Sequence, residues 1–468
     1  MSTDILDLTM HEAHQALING QFDTVEVTQA ALDRAHAIQP AHNAFIQILD
    51  EAALTQAKAQ QASKHTHWIS GLPLAHKDCL AREGQTMTVG AKWTREPDDI
   101  TATVLSRLER HDPIEIGRLH LSEVIAGPSG NNVHFGDCKN AWNPDYISGG
   151  SSSGSAVAVA MGCVYAALGT DTGGSVRIPA AVNGLFGMKP TFGRVSRYGA
   201  YPRSVSSDVI GPLARSAMDC AIILNAIAGP DPQDSETLGV ATPNYVKTIE
   251  GAHQGSRLAV FTPQEVIDDD VMTCFDEIVS QASQIYGHVA QREFSDWHGL
   301  YALGDVLSKV EAAQVHAQTM AQAPNTYSKA IYTRTEPGLH LTAVRYMETL
   351  QLRPIMLKRF LEQAFDEVDV LLLPTLPMAT PRISDMDMQA GSNVHNLVPR
   401  LTGLTRPFSF LGLPVMSVPM GIDANGLPLG LQLIGKPFSE ARLLSIAHHL
   451  SQKIGWSFKP SERFSALS

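Results

Sequence analysis

Two serine-glycine clusters hold the residue types best suited to chemistry. They are Gly149-Gly150-Ser151-Ser152-Ser153-Gly154-Ser155 and Gly169-Thr170-Asp171-Thr172-Gly173-Gly174-Ser175. Glycine-rich turns expose backbone N–H groups and let them converge on an anion. Serines among such turns suggest acyl transfer, with a hydroxyl nucleophile beside an oxyanion hole. The joining run, Ala156 to Leu168, is mostly Ala, Val, Met and Gly. Small apolar residues pack closely against backbone, so this run should hold the clusters rigidly relative to each other. Residue type alone leaves open which serine attacks.

Familiar motifs fit this region poorly. Gly150-Ser151-Ser152-Ser153-Gly154 satisfies the G-x-S-x-G pattern of a nucleophile elbow, which needs a strand immediately before it. The preceding Ala141 to Ser148 contains Pro144 and several turn formers instead. Gly169 to Ser175 resembles a phosphate-binding loop, but Gly174 stands where that loop needs its lysine. Glycines that merely permit tight packing would not explain so many hydroxyls.

The surrounding elements read as an alternation of strands and helices. Met10 to Asn19, Val25 to Gln39 and Ala52 to Ser63 have helical patterns, the first two with Thr9 and Thr24 as N-cap candidates. Gly71 to Asp78 reads as a strand carrying Lys77 to its end, followed by a helix at Thr103 to Arg110 and a strand at Pro113 to Gly117. Gly211 to Ala228 contains a helix, and the proline-rich segment through Pro243 is a loop. Further strands are expected at Arg257 to Thr262, Asp369 to Pro374, Leu413 to Pro419 and Pro428 to Gly435. Helices are expected at Asp268 to Tyr286, over much of Trp297 to Glu367, and at Ser439 to Ile454. With no repeat or clean linker, the expectation is one α/β domain over 1–468. Within it, 7–63 would be N-terminal helices, 71–216 the core, and 217–468 a helical insert and the strands completing the sheet.

Composition narrows the function. The 468 residues are 44% hydrophobic and 18% charged, an ordinary globular balance. A net charge of −12 argues against a general nucleic-acid or membrane-surface binder, though not against a local basic pocket. No apolar run approaches the ~20 residues that span a bilayer, and Met1 to Thr9 lacks the basic-then-apolar pattern of a signal peptide. Five dispersed cysteines fit reduced thiols in the cytoplasm. The close histidine pairs His11/His14, His65/His67 and His448-His449 lack a metal motif, so no metal or cofactor is expected.

Together the segments resemble the amidase signature family. The resemblance rests on Gly-Gly-Ser at 149–151 with Ser175 twenty-four residues after Ser151, on Gly169 through Ala180, and on Gly184-Leu185-Phe186-Gly187-Met188-Lys189-Pro190-Thr191. The family's lysine segment is matched by Gly71-Leu72-Pro73-Leu74-Ala75-His76-Lys77-Asp78, and weaker similarity appears at 228–232, 412–414 and 430–432. His76 and Cys79 depart from the residues usual beside that lysine.

The resemblance implies a layered α/β/α domain whose central mixed sheet is covered by helices. It makes Ser175 the acyl nucleophile, Ser151 the proton relay behind a cis Gly150–Ser151 peptide, and Lys77 the base. The N–H groups of Thr172, Gly173, Gly174 and Ser175 would receive the oxyanion, and Ile125 would lie beside the triad. A lysine can serve as base only when neutral, so its pKa must fall well below the usual ~10.4. Asp171 and Arg177 should pair to brace the loop. Gly127 to Asn131 and Thr402 to Phe410 would line the acyl pocket.

Two activities share this core. Glutamine-selective members carry an acid shortly before their Gly-Leu-Pro segment, whereas Arg400 to Phe408 holds none. The expectation is therefore a stand-alone amidase of linear amides, closer to the general amidases. The alternative is the glutamine-hydrolysing A subunit of a tRNA-dependent amidotransferase. A binding protein that has lost activity fits less well, because all three triad positions are filled. The partners expected are a small-molecule amide, neither nucleic acid nor membrane, and at most a second copy of the chain.

Overall fold

The computed structural model describes residues 4–93, 95–386, 394–457 and 459–465. The outermost residues of the expected 1–468 domain, 1–3 and 466–468, lie outside them. Among the described residues one eleven-stranded sheet runs through the chain. Its strands are β1 (Phe45–Ile48), β2 (Pro73–Lys77), β3 (Ile114–Leu119), β4 (Ala166–Asp171), β5 (Phe186–Lys189) and β6 (Val209–Ala214). Those that follow are β7 (Leu258–Thr262), β8 (Ala290–Glu293), β9 (Val370–Pro374), β10 (Val415–Ile422) and β11 (Pro428–Gly435). The spatial order is β1-β3-β2-β4-β6-β5-β10-β11-β9-β7-β8.

The sheet is mixed. β2 lies parallel to β3 and β4, β7 parallel to β8 and β9, and the pairs between β4 and β9 are antiparallel. Every residue of β2, β4, β5, β6, β9 and β11 is buried. Strands buried on both faces carry near-continuous apolar sequence because helices cover each side. This is the single α/β domain with a helix-covered mixed sheet that the sequence implied.

The run joining the two clusters divides into a helix, Ser153–Ala160, and β4. All eight residues of that helix are buried. Its small side chains let it lie directly on the sheet. A Cβ on Gly154 would run into the Ala44 carbonyl and the His120 backbone, so close approach requires glycine there. A second cluster of large apolar groups, including Trp297, Phe360 and Phe408, fixes helix Trp297–Gln322 and helix Ala343–Ala364 beside β7 and β9. The first of these helices forms one wall of the site.

Candidate active site

Parallel pairing aligns the C-terminal ends of β2 and β4, with His76 level with Leu168. Lys77 therefore leaves its strand beside Gly169 and Thr170, at the edge where parallel sheets usually hold their ligands. The turn Gly149–Ser152, whose Gly150–Ser151 peptide is cis, enters above that edge and continues into helix Ser153–Ala160. Lys77 is 1% exposed. Its Nζ donates to Ser151 Oγ at 2.8 Å, Thr170 Oγ1 at 2.8 Å and Ser152 Oγ at 3.1 Å.

Burial pushes the Lys77 ammonium down to about 8, against the opposing pull of Cys79, Asp208 and Asp171. The surrounding hydroxyls differ in their freedom. Ser152 Oγ donates to the Thr170 carbonyl at 3.2 Å. Ser151 Oγ makes no hydrogen bond other than that with Lys77 among the described residues. The Ser151 hydroxyl can thus turn its proton toward the lysine or away from it. His76 faces elsewhere: its Nδ1 accepts the Leu168 N–H at 3.2 Å, and burial drives its pKa down to about 3. It is neutral and adds no charge against Lys77.

Ser175 sits in the loop between β4 and helix Arg177–Val182. The loop is held from below by Asp171 and Arg177, both wholly buried. Arg177 donates to both oxygens of Asp171, at 2.9 and 3.0 Å, and also to the Thr405 carbonyl, Gln432 and Ser409. Burial alone would raise the Asp171 pKa, but the Arg177 charge and hydrogen bonds outweigh it and hold the carboxyl at about 2. Gly174 has φ +138°, and a Cβ there would meet Thr405 Oγ1 at 2.5 Å. Only glycine fits that turn without strain.

The donors do not all point the expected way. The Gly174 N–H is taken by Asp171 Oδ1 at 2.8 Å. Those of Thr172, Gly173 and Ser175 make no hydrogen bond among the described residues. Three N–H groups rather than four are therefore free to receive an oxyanion. Ser175 Oγ is likewise unbonded and lines a cavity of about 310 Å³ together with Gly150, Thr172, Gly173, Gly174 and Ile125. The two loops touch where the Ser152 N–H donates to the Ser175 carbonyl at 3.3 Å, but Ser151 does not line the cavity and no hydrogen bond joins its hydroxyl to that of Ser175 among the described residues. Ile125 closes the chamber with a left-handed backbone, φ +62°.

Of the expected pocket segments, Gly127, Pro128, Thr402 and Arg406 reach the cavity. The sequence reading missed Thr170 as a lysine partner, although it lies inside the second cluster. It also missed Arg203, Lys309 and Arg334, which line the cavity from distant segments. Among the described residues no group of His, Cys, Asp and Glu could hold a metal ion, and no helix is long and apolar enough to cross a membrane.

The arrangement is that of a single-domain α/β protein built for acyl transfer, with a buried lysine and two serine loops around one chamber. Residues 26–444 match the family model described as Amidase, and the chain belongs to that family. It is 33% identical to the A subunit of the glutamyl-tRNA(Gln) amidotransferase of Geotalea daltonii over 490 residues, covering 97% of this chain and 98% of the relative. Two solved structures extend the likeness. One, reported as "An unexpected vestigial protein complex reveals the evolutionary origins of an s-triazine catabolic enzyme", has a TM-score of 0.89 at 28% identity and covers 96% of this chain and 99% of that one. The other is the A subunit of the Thermotoga maritima glutamyl-tRNA(Gln) amidotransferase, with a TM-score of 0.81 at 26% identity over 97% and 96% of the two chains.

These findings correct two expectations. The preference for general amidases is not supported, because the full-length likeness is to amidotransferase A subunits. The expectation of a small-molecule amide and at most a second copy as partners, with no link to nucleic acid, is overturned. The relatives are named as subunits of a tRNA-linked amidotransferase, and the neighbour with a TM-score of 0.89 comes from a protein complex. One missing acid in a single segment weighs less than the pattern of the whole chain.

Proposed function

We propose that the chain is an amide-hydrolysing subunit of a larger assembly, in the manner of the amidotransferase A subunits, with glutamine as its amide substrate. The observation that carries the chemistry is buried Lys77 bonded to Ser151 beside a cavity into which Ser175 opens. Ser175 Oγ attacks the amide carbonyl carbon as its proton passes to Ser151, whose own proton passes to neutral Lys77. The oxyanion is received by the N–H groups of Thr172, Gly173 and Ser175; one such donor contributes about 3 kcal/mol. The C–N bond then breaks, and the proton returns from Lys77 through Ser151 to the leaving nitrogen. Water, deprotonated by the same relay, attacks the acyl-enzyme and releases a carboxylate. The five free thiols support a cytoplasmic setting.

A second reading has one observation in its favour. Thr402, not an acid, lines the cavity from the 400–408 segment, and the charged groups there are mostly cationic. That suits an amide lacking the free ammonium of glutamine, hydrolysed within a complex that has left tRNA-linked work behind. The test is ammonia release from glutamine by the full chain, with and without captured partner subunits. Release that disappears in Ser175→Ala upholds the first reading. Silence on glutamine with release from another amide upholds the second, and silence on every amide overturns both.

A further inference from the structure

The residues of the Ser175 loop are not held alike. Asp171 accepts the Gly174 and Val176 N–H groups, and the Gly173 carbonyl accepts the Thr405 hydroxyl at 2.6 Å. Thr172 has no such backbone tether. Neither its N–H nor its carbonyl makes a hydrogen bond among the described residues. Its one polar tether among them is its side chain, whose hydroxyl donates to Asp208 Oδ1 at 2.5 Å.

The sheet accounts for that contact. β4 and β6 run antiparallel with Asp171 opposite Val209, so Thr172, just past β4, comes level with Asp208, just before β6. Asp208 is itself fixed. Its Oδ2 accepts the backbone N–H groups of Arg203 and Ser204, both at 2.8 Å, and it makes no ion pair among the described residues. Three donors converging on one carboxylate leave it a single orientation. The turn that supplies two of them is pinned by helix Trp297–Gln322, one wall of the site. Buried Glu311 on that helix accepts the Ser204 hydroxyl, the Ser206 hydroxyl at 2.7 Å and the Tyr346 hydroxyl at 2.8 Å. Asp208 does not line the Ser175 cavity. It faces a neighbouring one of about 240 Å³, with Thr170 and Tyr201.

An oxyanion donor is effective when its N–H is aimed before the charge develops. We propose that Asp208 is a positioning residue, which through the Thr172 hydroxyl fixes the peptide whose N–H receives the oxyanion. This role rests on nucleophilic attack by Ser175. It adds to the machinery a carboxylate that touches no substrate.

Phenylmethylsulfonyl fluoride tests the role whatever the natural amide. Ser175 Oγ bonds to sulfur, fluoride leaves, and the serine proton passes to Ser151; a sulfonyl oxygen takes up charge where the oxyanion would sit. Labelling of the full chain is followed by mass, with Ser175→Ala as the unlabelled control. Thr172→Val keeps the side-chain shape and removes the hydroxyl, and should slow labelling by about 10²-fold. Asp208→Ala should slow it by a similar factor. Because both remove the same link, the double variant should be slower than either single by no more than about threefold. Thr172→Ser, which keeps the hydroxyl, should recover at least about tenfold of the rate lost in Thr172→Val.

If Asp208 merely stabilised the turn at 203–208, Thr172→Val would label near the native rate and the two losses would add. Either result overturns the proposal, as does a Thr172→Ser no faster than Thr172→Val. Should Asp208→Ala fail to fold, the two Thr172 variants decide the matter. A native chain that takes no label at Ser175 overturns the nucleophile and the positioning role with it. A labelled native chain whose variants keep its rate overturns the positioning role alone.

Discussion

Lys77, at the end of β2, and Lys189, at the end of β5, are both wholly buried lysines within the amidase core. Burial pushes both ammonium groups down, Lys77 to about 8 and Lys189 to about 7. By that measure alone Lys189 would be the better base. The partners reverse the conclusion. Lys77 meets three hydroxyls, which can accept a hydrogen bond or return a proton. Lys189 donates to the carbonyls of Pro190 and Leu413, at 3.1 and 2.8 Å, and a carbonyl has no proton to give. A perturbed pKa marks a candidate, and the hydrogen-bond partners decide its role. On the proposed mechanism one region is a proton chamber, and the other is a brace tying β5 to the segment before β10.

The largest expected effect tests that division directly. Lys77→Met should lower kcat for amide hydrolysis by about 10⁴-fold or more, as losses within a triad generally do. Lys189→Met should leave kcat within about tenfold of the native value, measured on folded protein. Comparable losses from the two substitutions would erase the distinction between chamber and brace.

Next comes the pair that holds the Ser175 loop. Asp171→Asn removes a buried charge and leaves Arg177 uncompensated, which typically costs about 3–5 kcal/mol. Urea unfolding should record a loss of that order. Activity should fall as well, because Gly174 would lose the charged acceptor that fixes its turn. A stable protein with unchanged kcat would separate the brace from the loop it supports.

The chamber and the brace differed in how far the sequence revealed them. Gly71 to Asp78 ended in Lys77 at a strand terminus, as the apolar run followed by charge suggested. The hidden elements were those without contrast. β4 lies in a run of small residues continuous with the preceding helix, and only the break around Gly162 separates them. β6 sits in front of helix Ala217–Ile227 and contains Pro212, so within 211–228 only the helix was expected and the strand before it was not. β1 and β8 are four-residue strands at opposite edges of the sheet, too short for periodicity to register. The cationic wall was illegible for another reason. Arg203, Arg334 and Arg406 come from three distant segments and meet only through tertiary packing.

The pH profile sharpens the chamber side. On the proposed mechanism Lys77 must be neutral to accept a proton, and burial lowers its pKa to about 8, below the ordinary lysine value. The rate should therefore rise with pH through about 8 and fall roughly tenfold for each unit below about 7. Measuring kcat/KM from pH 5.5 to 9.5 gives this limb. A limb centred near 6.5 would point to a histidine instead. No histidine hydrogen-bonds to Lys77, Ser151 or Ser175 among the described residues.

The smallest effect belongs to the brace and appears in stability. Removing the Lys189 amine by Lys189→Met leaves the Pro190 and Leu413 carbonyls without that donor, a loss of about 1–3 kcal/mol. The pH dependence gives the finer signature. Between pH 7 and the unfolded lysine value of ~10.4, the unfolded chain binds a proton at this site that the folded chain has released. Folding stability should therefore rise with pH across that window, with Lys189 contributing about 1 kcal/mol between pH 7 and 8. Lys77 titrates in the same sense but mostly above 8, so it adds less in this interval. Urea midpoints at pH 7 and pH 8 should separate clearly for the native chain and converge in Lys189→Met. If the substitution left the gap intact, the buried charge at Lys189 would be held by something other than its burial, and the likeness between the two lysines would fail.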